Sequence, residues 1–302
     1  MNLPITEQEN PQTANIDKVS TLEAIRLIND EDKKVAMAIE QVLPEIALVI
    51  DKIVARLQNG GRLFYVGTGT SGRLGVLDAS EIPPTFGVSY DLIQGIIAGG
   101  YDALYKATES SEDNQEAGKI DLQKRGITGK DAVVGIAASG GTPYTIGAVE
   151  LAREIGCFTA CITCVPDSAM TKTAEIAIVA EVGAEAITGS TRMKAGTAQK
   201  MILNMISTTV MIRLGYVKGN RMTNVKSSNI KLKQRSVRIL MAETLLDKTS
   251  ATNLLNEANN DLRVALVMFR GQVNYKTAEK ALKKTNFVVE KAIENLPNPT
   301  RK

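Results

Sequence analysis

Residues 62–73 read RLFYVGTGTSGR, an apolar β-rich run that passes directly into a loop with glycines at Gly67, Gly69 and Gly72. A strand feeding a glycine-rich turn opens a βα unit whose backbone N–H groups can face an anion. The spacing G-x-G-x-x-G is also that of a dinucleotide-binding turn, which requires in addition an acidic residue about twenty residues on, where the second strand ends. Here that strand ends Ile97-Ala98-Gly99-Gly100, and the acid is missing. The loop carries instead Thr68, Thr70 and Ser71. A pyrophosphate turn does not need these hydroxyls, but a phosphate monoester can use them as donors.

A second loop repeats the pattern. After the run AVVGIAA comes Ala138-Ser139-Gly140-Gly141-Thr142-Pro143-Tyr144, with Pro143 suited to the first turn of a helix. Two such loops at the carboxyl ends of parallel strands can converge on one anion. Around them the runs RLFYV, LIQGIIA, AVVGIAA, FTACITCV and IAIVAEV alternate with helical patterns such as Gln115 to Lys124 and Tyr144 to Ile155. Strands that are apolar throughout predict a parallel sheet covered on both faces, a doubly wound α/β domain. Residues 1–58 are expected to form a polar arm and two helices, the first opened by the capping box Ser20-Thr21-Leu22-Glu23 and the second running from about Pro44 to Leu57. The α/β domain is placed at 59–237. Its last helix carries Ala198, Met201, Ile202, Met205, Ile206 and Ile212 at helical period. A small helical domain is placed at 238–302, with breaks near Lys248, Asn259, Gly271 and Asn286 and a loose end at Pro297 and Pro299.

The composition narrows the chemistry. With 36 basic and 33 acidic residues the formal charge is only +3, so no broad field recommends nucleic acid or an anionic membrane as partner. No apolar run is long enough to span a bilayer, and the polar N-terminus lacks a signal-peptide core, which predicts a cytoplasmic protein. The sequence contains no histidine, so acid–base work falls to carboxylates, Lys, Tyr or Cys. Cys157, Cys161 and Cys164 lie in the run CFTACITCV, which reads as a strand. On a strand the first two face one way and the third the other, so they are expected to be buried structural residues and no metal site is predicted.

The loops GTGTSGRLG and ASGGTPYT, followed by Glu185-Ala186-Ile187-Thr188-Gly189-Ser190-Thr191-Arg192 and a helix with Gln199, resemble a sugar isomerase (SIS) domain, a fold that binds phosphosugars. Further stretches resemble the N-acetylmuramic acid 6-phosphate etherase family over nearly the whole chain. These are Asp78-Ala79-Ser80-Glu81-Ile82-Pro83-Pro84-Thr85-Phe86-Gly87, Gly95-Ile96-Ile97-Ala98-Gly99-Gly100, Glu109-Ser110-Ser111-Glu112-Asp113-Asn114, and Thr188 through Lys200. The resemblance implies a Rossmann-like SIS core with a UBA-like helical C-terminal domain. It implies a carbon–oxygen lyase of cell-wall amino sugar catabolism or recycling, acting as a homodimer without a cofactor. Such an enzyme eliminates lactate from the phosphosugar and then adds water, giving N-acetylglucosamine 6-phosphate and D-lactate. Glu81 and Glu112 are implied as the catalytic pair. Gly69, Thr70, Ser71, Ser139, Gly140, Thr142, Glu185, Ser190 and Lys194 are implied in substrate binding.

Removing a proton at C2 while the departing lactate oxygen gains one calls for two carboxylates with different proton affinities. Leu74 to Ser80 reads as a helix with Glu81 at its C-terminal end, where the dipole disfavours negative charge. Ser111 reads as an N-cap with Glu112 in the first helical turn, where the dipole favours it. This assigns Glu81 as acid and Glu112 as base, with Glu109 a second candidate base. The sequence departs from the family pattern where Gly141 replaces a usual arginine, in the stretch Glu109 to Asp113, and where Asn224 replaces aspartate. Arg73, Arg192 or Lys194 is expected to supply the missing cation. The alternatives are a non-catalytic phosphosugar sensor such as the glucokinase regulatory protein, which has no need of the acid–base pair, and an aldose–ketose isomerase, which lacks the D-A-S-E-x-P-P signature. A nicotinamide oxidoreductase is more distant.

Overall fold

A computed structural model describes residues 3–106, 111–224 and 230–296. Glu109, Pro297 and Pro299 lie outside the described residues. The chain divides into two compact units, Met1–Ser80 with Tyr90–Val210, and Glu81–Ser89 with Met211–Lys302.

In the first unit, 3-10 turns at Ile5–Glu7, Pro11–Thr13 and Ile16–Lys18 precede α1 (Thr21–Glu40) and α2 (Leu43–Gln58). The Ser20 hydroxyl caps α1 by accepting the N–H of Glu23 at 3.3 Å, as the capping box predicts. There follow β1 (Leu63–Gly67), α3 (Gly69–Phe86), β2 (Ile93–Ile97), α4 (Gln115–Gln123), β3 (Ala132–Ile136), α5 (Pro143–Ile155), β4 (Phe158–Thr163), α6 (Ala169–Thr173), β5 (Ile176–Val179) and α7 (Lys194–Leu214). All five strands are parallel, in the order β2-β1-β3-β4-β5. Every residue of β1, β3 and β4 is buried, because helices cover both faces of the sheet. This is the doubly wound α/β architecture the apolar runs predict. On one face Phe64, Val66, Val133 and Leu122 pack with Ala148 and Leu151 of α5.

Two predicted helix ends need correction. The helix after β1 starts at Gly69, inside the loop, and runs through Pro83 and Pro84 to Phe86. Because proline has no N–H, the carbonyls of Ala79 and Ser80 lose their i+4 donors there. The helix nevertheless closes with a bond from Gly87 N–H to the Pro83 carbonyl at 2.8 Å. The cap before Gln115 is Asn114, whose side chain accepts the N–H of Ala117 at 2.9 Å, and not Ser111.

The second unit holds a short hairpin, β6 (Val217–Lys218) with β7 (Arg221–Met222), and the helices α8 (Ile230–Thr244), α9 (Lys248–Glu257), α10 (Leu262–Gly271), α11 (Tyr275–Lys284) and α12 (Val289–Glu294). The boundary drawn at 237/238 therefore falls inside α8. Leu240, Leu255, Leu262, Leu266 and Leu282 form its core. Asn224, where the family pattern has aspartate, is buried and donates its amide N–H to the carbonyl of Phe86 at 2.9 Å, a bond that an ionised carboxylate has no proton to make.

Candidate active site

The strand order places the two glycine loops where the sheet opens. β1 pairs with β2 on one side and β3 on the other. The chain leaves β1 through α3 towards β2, but leaves β3 through α5 towards β4, so the two loops diverge from neighbouring strand ends and frame a crevice. Gly67 and Gly72 let α3 start hard against β1, since a Cβ on Gly72 would lie 2.6 Å from the Gly67 carbonyl oxygen and 2.7 Å from Ile97. Gly69 has φ +49°, and a Cβ there would stand 3.2 Å from a carboxylate oxygen of Glu112. In the second loop Gly140 has φ +65° and leaves no room for a Cβ, which would lie 2.2 Å from the Ser168 hydroxyl. Ser139 is exposed and accepts the N–H of Gly141 at 3.3 Å, while Thr142 stands at the N-cap of α5 with Pro143 in the first turn and makes no side-chain capping bond.

Glu112 spans the two loops. Its carboxylate lies beside Gly69 of the first, and its carbonyl accepts the N–H of Tyr144, in the first turn of α5, at 3.1 Å. It sits in a turn ahead of the Asn114 cap, so the first-turn dipole argument made for it does not apply; Glu116 is the acid in that turn. Glu81 is exposed on α3, five residues before the helix ends at Phe86. The dipole effect falls off within the last turn, so at Glu81 it is weaker than the sequence reading supposes. The donors missing from Pro83 and Pro84 do leave the Ala79 and Ser80 carbonyls short of a partner close to it.

The remaining predicted residues differ in exposure and in the bonds they make. Thr70 and Ser190 are half-buried. Ser71 is buried and donates to Gln199 of α7 at 2.9 Å, while the amide nitrogen of Gln199 is buried with no hydrogen-bond partner among the described residues. Glu185 is fully buried, and its two carboxylate oxygens accept the N–H groups of Lys194 and Ala195, both at 2.9 Å, capping α7. Burial pushes its carboxyl above the ordinary value and outweighs those two bonds. Lys194 is 1% exposed and pairs with Glu31 of α1, 3% exposed, at 2.5 Å. Burial opposes the charge on Glu31, but hydrogen bonds from Lys194 and Lys34 outweigh it and hold the carboxyl below its ordinary value.

Of the three expected substitutes for the missing arginine, Lys194 is thus engaged by Glu31. Arg73 donates to the carbonyls of Leu104 at 3.2 Å and Lys106 at 3.0 Å. Arg192 is exposed. Two residues that the quoted sequence motifs contain, without a role assigned to them there, are supports. Gln199 is one. The other is Asp78, which accepts from Asn204 at 2.8 Å and Ser207 at 3.0 Å and so binds α3 to α7 a second time. Asp78 is buried, and burial outweighs those bonds to raise its carboxyl above the ordinary value. Among the described residues no three His, Cys, Asp or Glu side chains converge on a metal position. Cys157, Cys161 and Cys164 are all buried, which pushes their thiols up to about 11, 12 and 12.

A family profile described as the glucokinase regulatory protein N-terminal SIS domain matches residues 45–153. N-acetylmuramic acid 6-phosphate etherase of Clostridium beijerinckii is 50% identical over 293 residues, 97% of this chain and 96% of that protein. The same-named protein of Photorhabdus laumondii is 50% identical over 97% of both chains. The chain belongs to the N-acetylmuramic acid 6-phosphate etherase family. Within the etherase family the α/β unit has the SIS fold. A Bacteroides fragilis structure assigned to phosphosugar isomerisation in capsule formation matches it at TM-score 0.50 with 20% identity, covering 67% of this chain and 95% of that one, a likeness of fold alone.

Proposed function

We propose that the chain cleaves the D-lactyl ether of N-acetylmuramic acid 6-phosphate, giving N-acetylglucosamine 6-phosphate and D-lactate in the cytoplasm. The observation that carries this reading is the 50% identity to etherases along 97% of the chain. The local chemistry supports it, since a carboxylate lies directly beside the hydroxyl-bearing loop. The phosphate is held between Thr70 and Ser71 on one side and Ser139, Gly140 and Thr142 on the other. Glu112 removes the C2 proton of the open-chain aldehyde. The released electron pair forms the C2–C3 double bond as the C3–O bond breaks, and Glu81 protonates the departing lactate oxygen. Water then adds at C3, giving up a proton to Glu81, while Glu112 returns one to C2. All atoms of the substrate and one water are recovered in the two products.

The two carboxylates belong to separate compact units, Glu112 to the first and Glu81 to the second. In a homodimer with two equivalent sites the acid for each sugar is supplied by a second copy. Glu81→Gln and Glu112→Gln test this reading. Each alone should be inactive. Unfolding and refolding the two together should restore about a quarter of wild-type activity, because half of randomly paired dimers are hybrid and each hybrid has one intact site. No recovery, with dimers forming normally, would place both carboxylates in one chain.

A further inference from the structure

We infer that the N-terminal arm is a positioning element for the sugar-phosphate site, acting through Asn10, Thr13 and Glu31. This rests on the etherase reading of the crevice. The side chains reach a single short segment. Asn10 donates to the Ala184 carbonyl at 3.1 Å, and Thr13 donates to the Ala186 carbonyl at 2.8 Å. These two bonds flank Glu185, whose carboxylate caps the first turn of α7 through the N–H groups of Lys194 and Ala195. Glu31 takes the Lys194 ammonium at 2.5 Å and so anchors the same turn from α1. All of Asn10, Thr13, Glu31, Glu185 and Lys194 are buried.

The turn held in this way is in contact with the loop. A Cβ on Gly196 would lie 3.4 Å from the Thr70 methyl, and Gln199, one turn further on, receives the Ser71 hydroxyl at 2.9 Å. A relay of hydrogen bonds thus runs from the arm through the Ala184–Ala186 segment, Glu185 and α7 to Ser71, with Gly196 packed close to the Thr70 methyl. The bonds to Ala184 and Ala186 are neutral, and losing one moves the segment without leaving a buried charge unpaired. A displaced Ser71 presents its backbone N–H poorly to phosphate, which weakens ground-state and transition-state binding alike. Loss of that kind raises KM and leaves kcat in place.

Thr13→Val removes the hydroxyl that donates to Ala186 at 2.8 Å and approaches the Asn10 carbonyl at 3.4 Å. It should raise KM for N-acetylmuramic acid 6-phosphate about tenfold, the scale of one displaced hydrogen bond, with kcat within about twofold of wild type. Calorimetric affinity for N-acetylglucosamine 6-phosphate should weaken in parallel. Thr13→Ser, which restores the hydroxyl, should recover most of both. Asn10→Ala removes the second bond together with the cap on the Gln12 N–H and should act in the same direction. An arm with a purely structural role would lower Tm and the fraction of active molecules while leaving KM and product affinity unchanged. That result, or failure of both variants to fold, would overturn the inference. Wild-type protein that releases no lactate would instead refute the etherase reading.

Discussion

Replacing Glu31 by glutamine leaves the Lys194 ammonium buried without its counter-charge. The pair is 2.5 Å apart, with the two side chains 1% and 3% exposed, so water screens it little. Removing one member of such a pair costs about 3–5 kcal/mol, because the remaining charge stays desolvated. At about 2–4 °C per kcal/mol for a unit of this size, Tm should fall by about 6–20 °C. Replacing both residues by methionine should behave differently, since an apolar pair of similar volume carries no desolvation penalty; stability should return to within about 1 kcal/mol of wild type. Urea unfolding followed by circular dichroism measures all of these variants. The pH dependence has a definite sign. The Glu31 carboxyl is held below its ordinary value of 4.5, so its contribution is complete above pH 4.5 and is lost as pH falls through the lower folded-state value. The gap between wild type and Glu31→Gln should accordingly narrow on acidification below pH 4.5. A single variant that loses less than about 1 kcal/mol, or a double variant as unstable as the single, would refute the reasoning about this pair.

Gly69→Ala forces a side chain onto φ +49° and sets a methyl 3.2 Å from the Glu112 carboxylate, so kcat should fall by about tenfold or more for a stability loss of about 1–2 kcal/mol. Equal losses of stability and activity would remove Glu112 from the chemistry. Ser71→Ala removes the hydroxyl that Gln199 accepts and so loosens the loop against α7; it should raise KM by about tenfold, and unchanged saturation by substrate would take the first loop out of the site. Glu112→Gln should abolish exchange of the C2 hydrogen with solvent deuterium, whereas Glu81→Gln should stop lactate release and retain part of the exchange. The opposite pattern would interchange the acid and the base.

The sheet was legible because its strands are apolar along their whole length, and LFYVG, AVVGI and FTACIT are buried at every position. The glycine loops were legible as close turns from strand to helix, and Gly72 does pack against Gly67 and Ile97. Helix ends were harder. The sequence predicts a helix ending at Ser80, but Pro83 and Pro84 stand near the end of α3, where few helical bonds remain to be lost, and the helix runs on to Phe86. In SEDNQEA both Ser111 and Asn114 are competent caps, and only the path of the chain into α4 selects the second. The supports of the site were the least legible. Lys194 reads as a phosphate ligand until Glu31, 163 residues earlier in the chain, is seen to hold it. Asp78 and Gln199 look like ordinary polar positions on amphipathic helices, and their burial against Asn204, Ser207 and Ser71 is a tertiary fact with no local signature.

The central claim is that this chain breaks the ether rather than sensing or isomerising a phosphosugar. Incubating the purified protein with N-acetylmuramic acid 6-phosphate in heavy-oxygen water and quantifying D-lactate tests it most directly. Elimination followed by hydration predicts equimolar D-lactate and N-acetylglucosamine 6-phosphate, with the solvent oxygen at C3 of the sugar and none in the lactate. Binding without lactate release, release of an isomerised sugar that keeps its lactyl group, or solvent oxygen appearing in the lactate would contradict it.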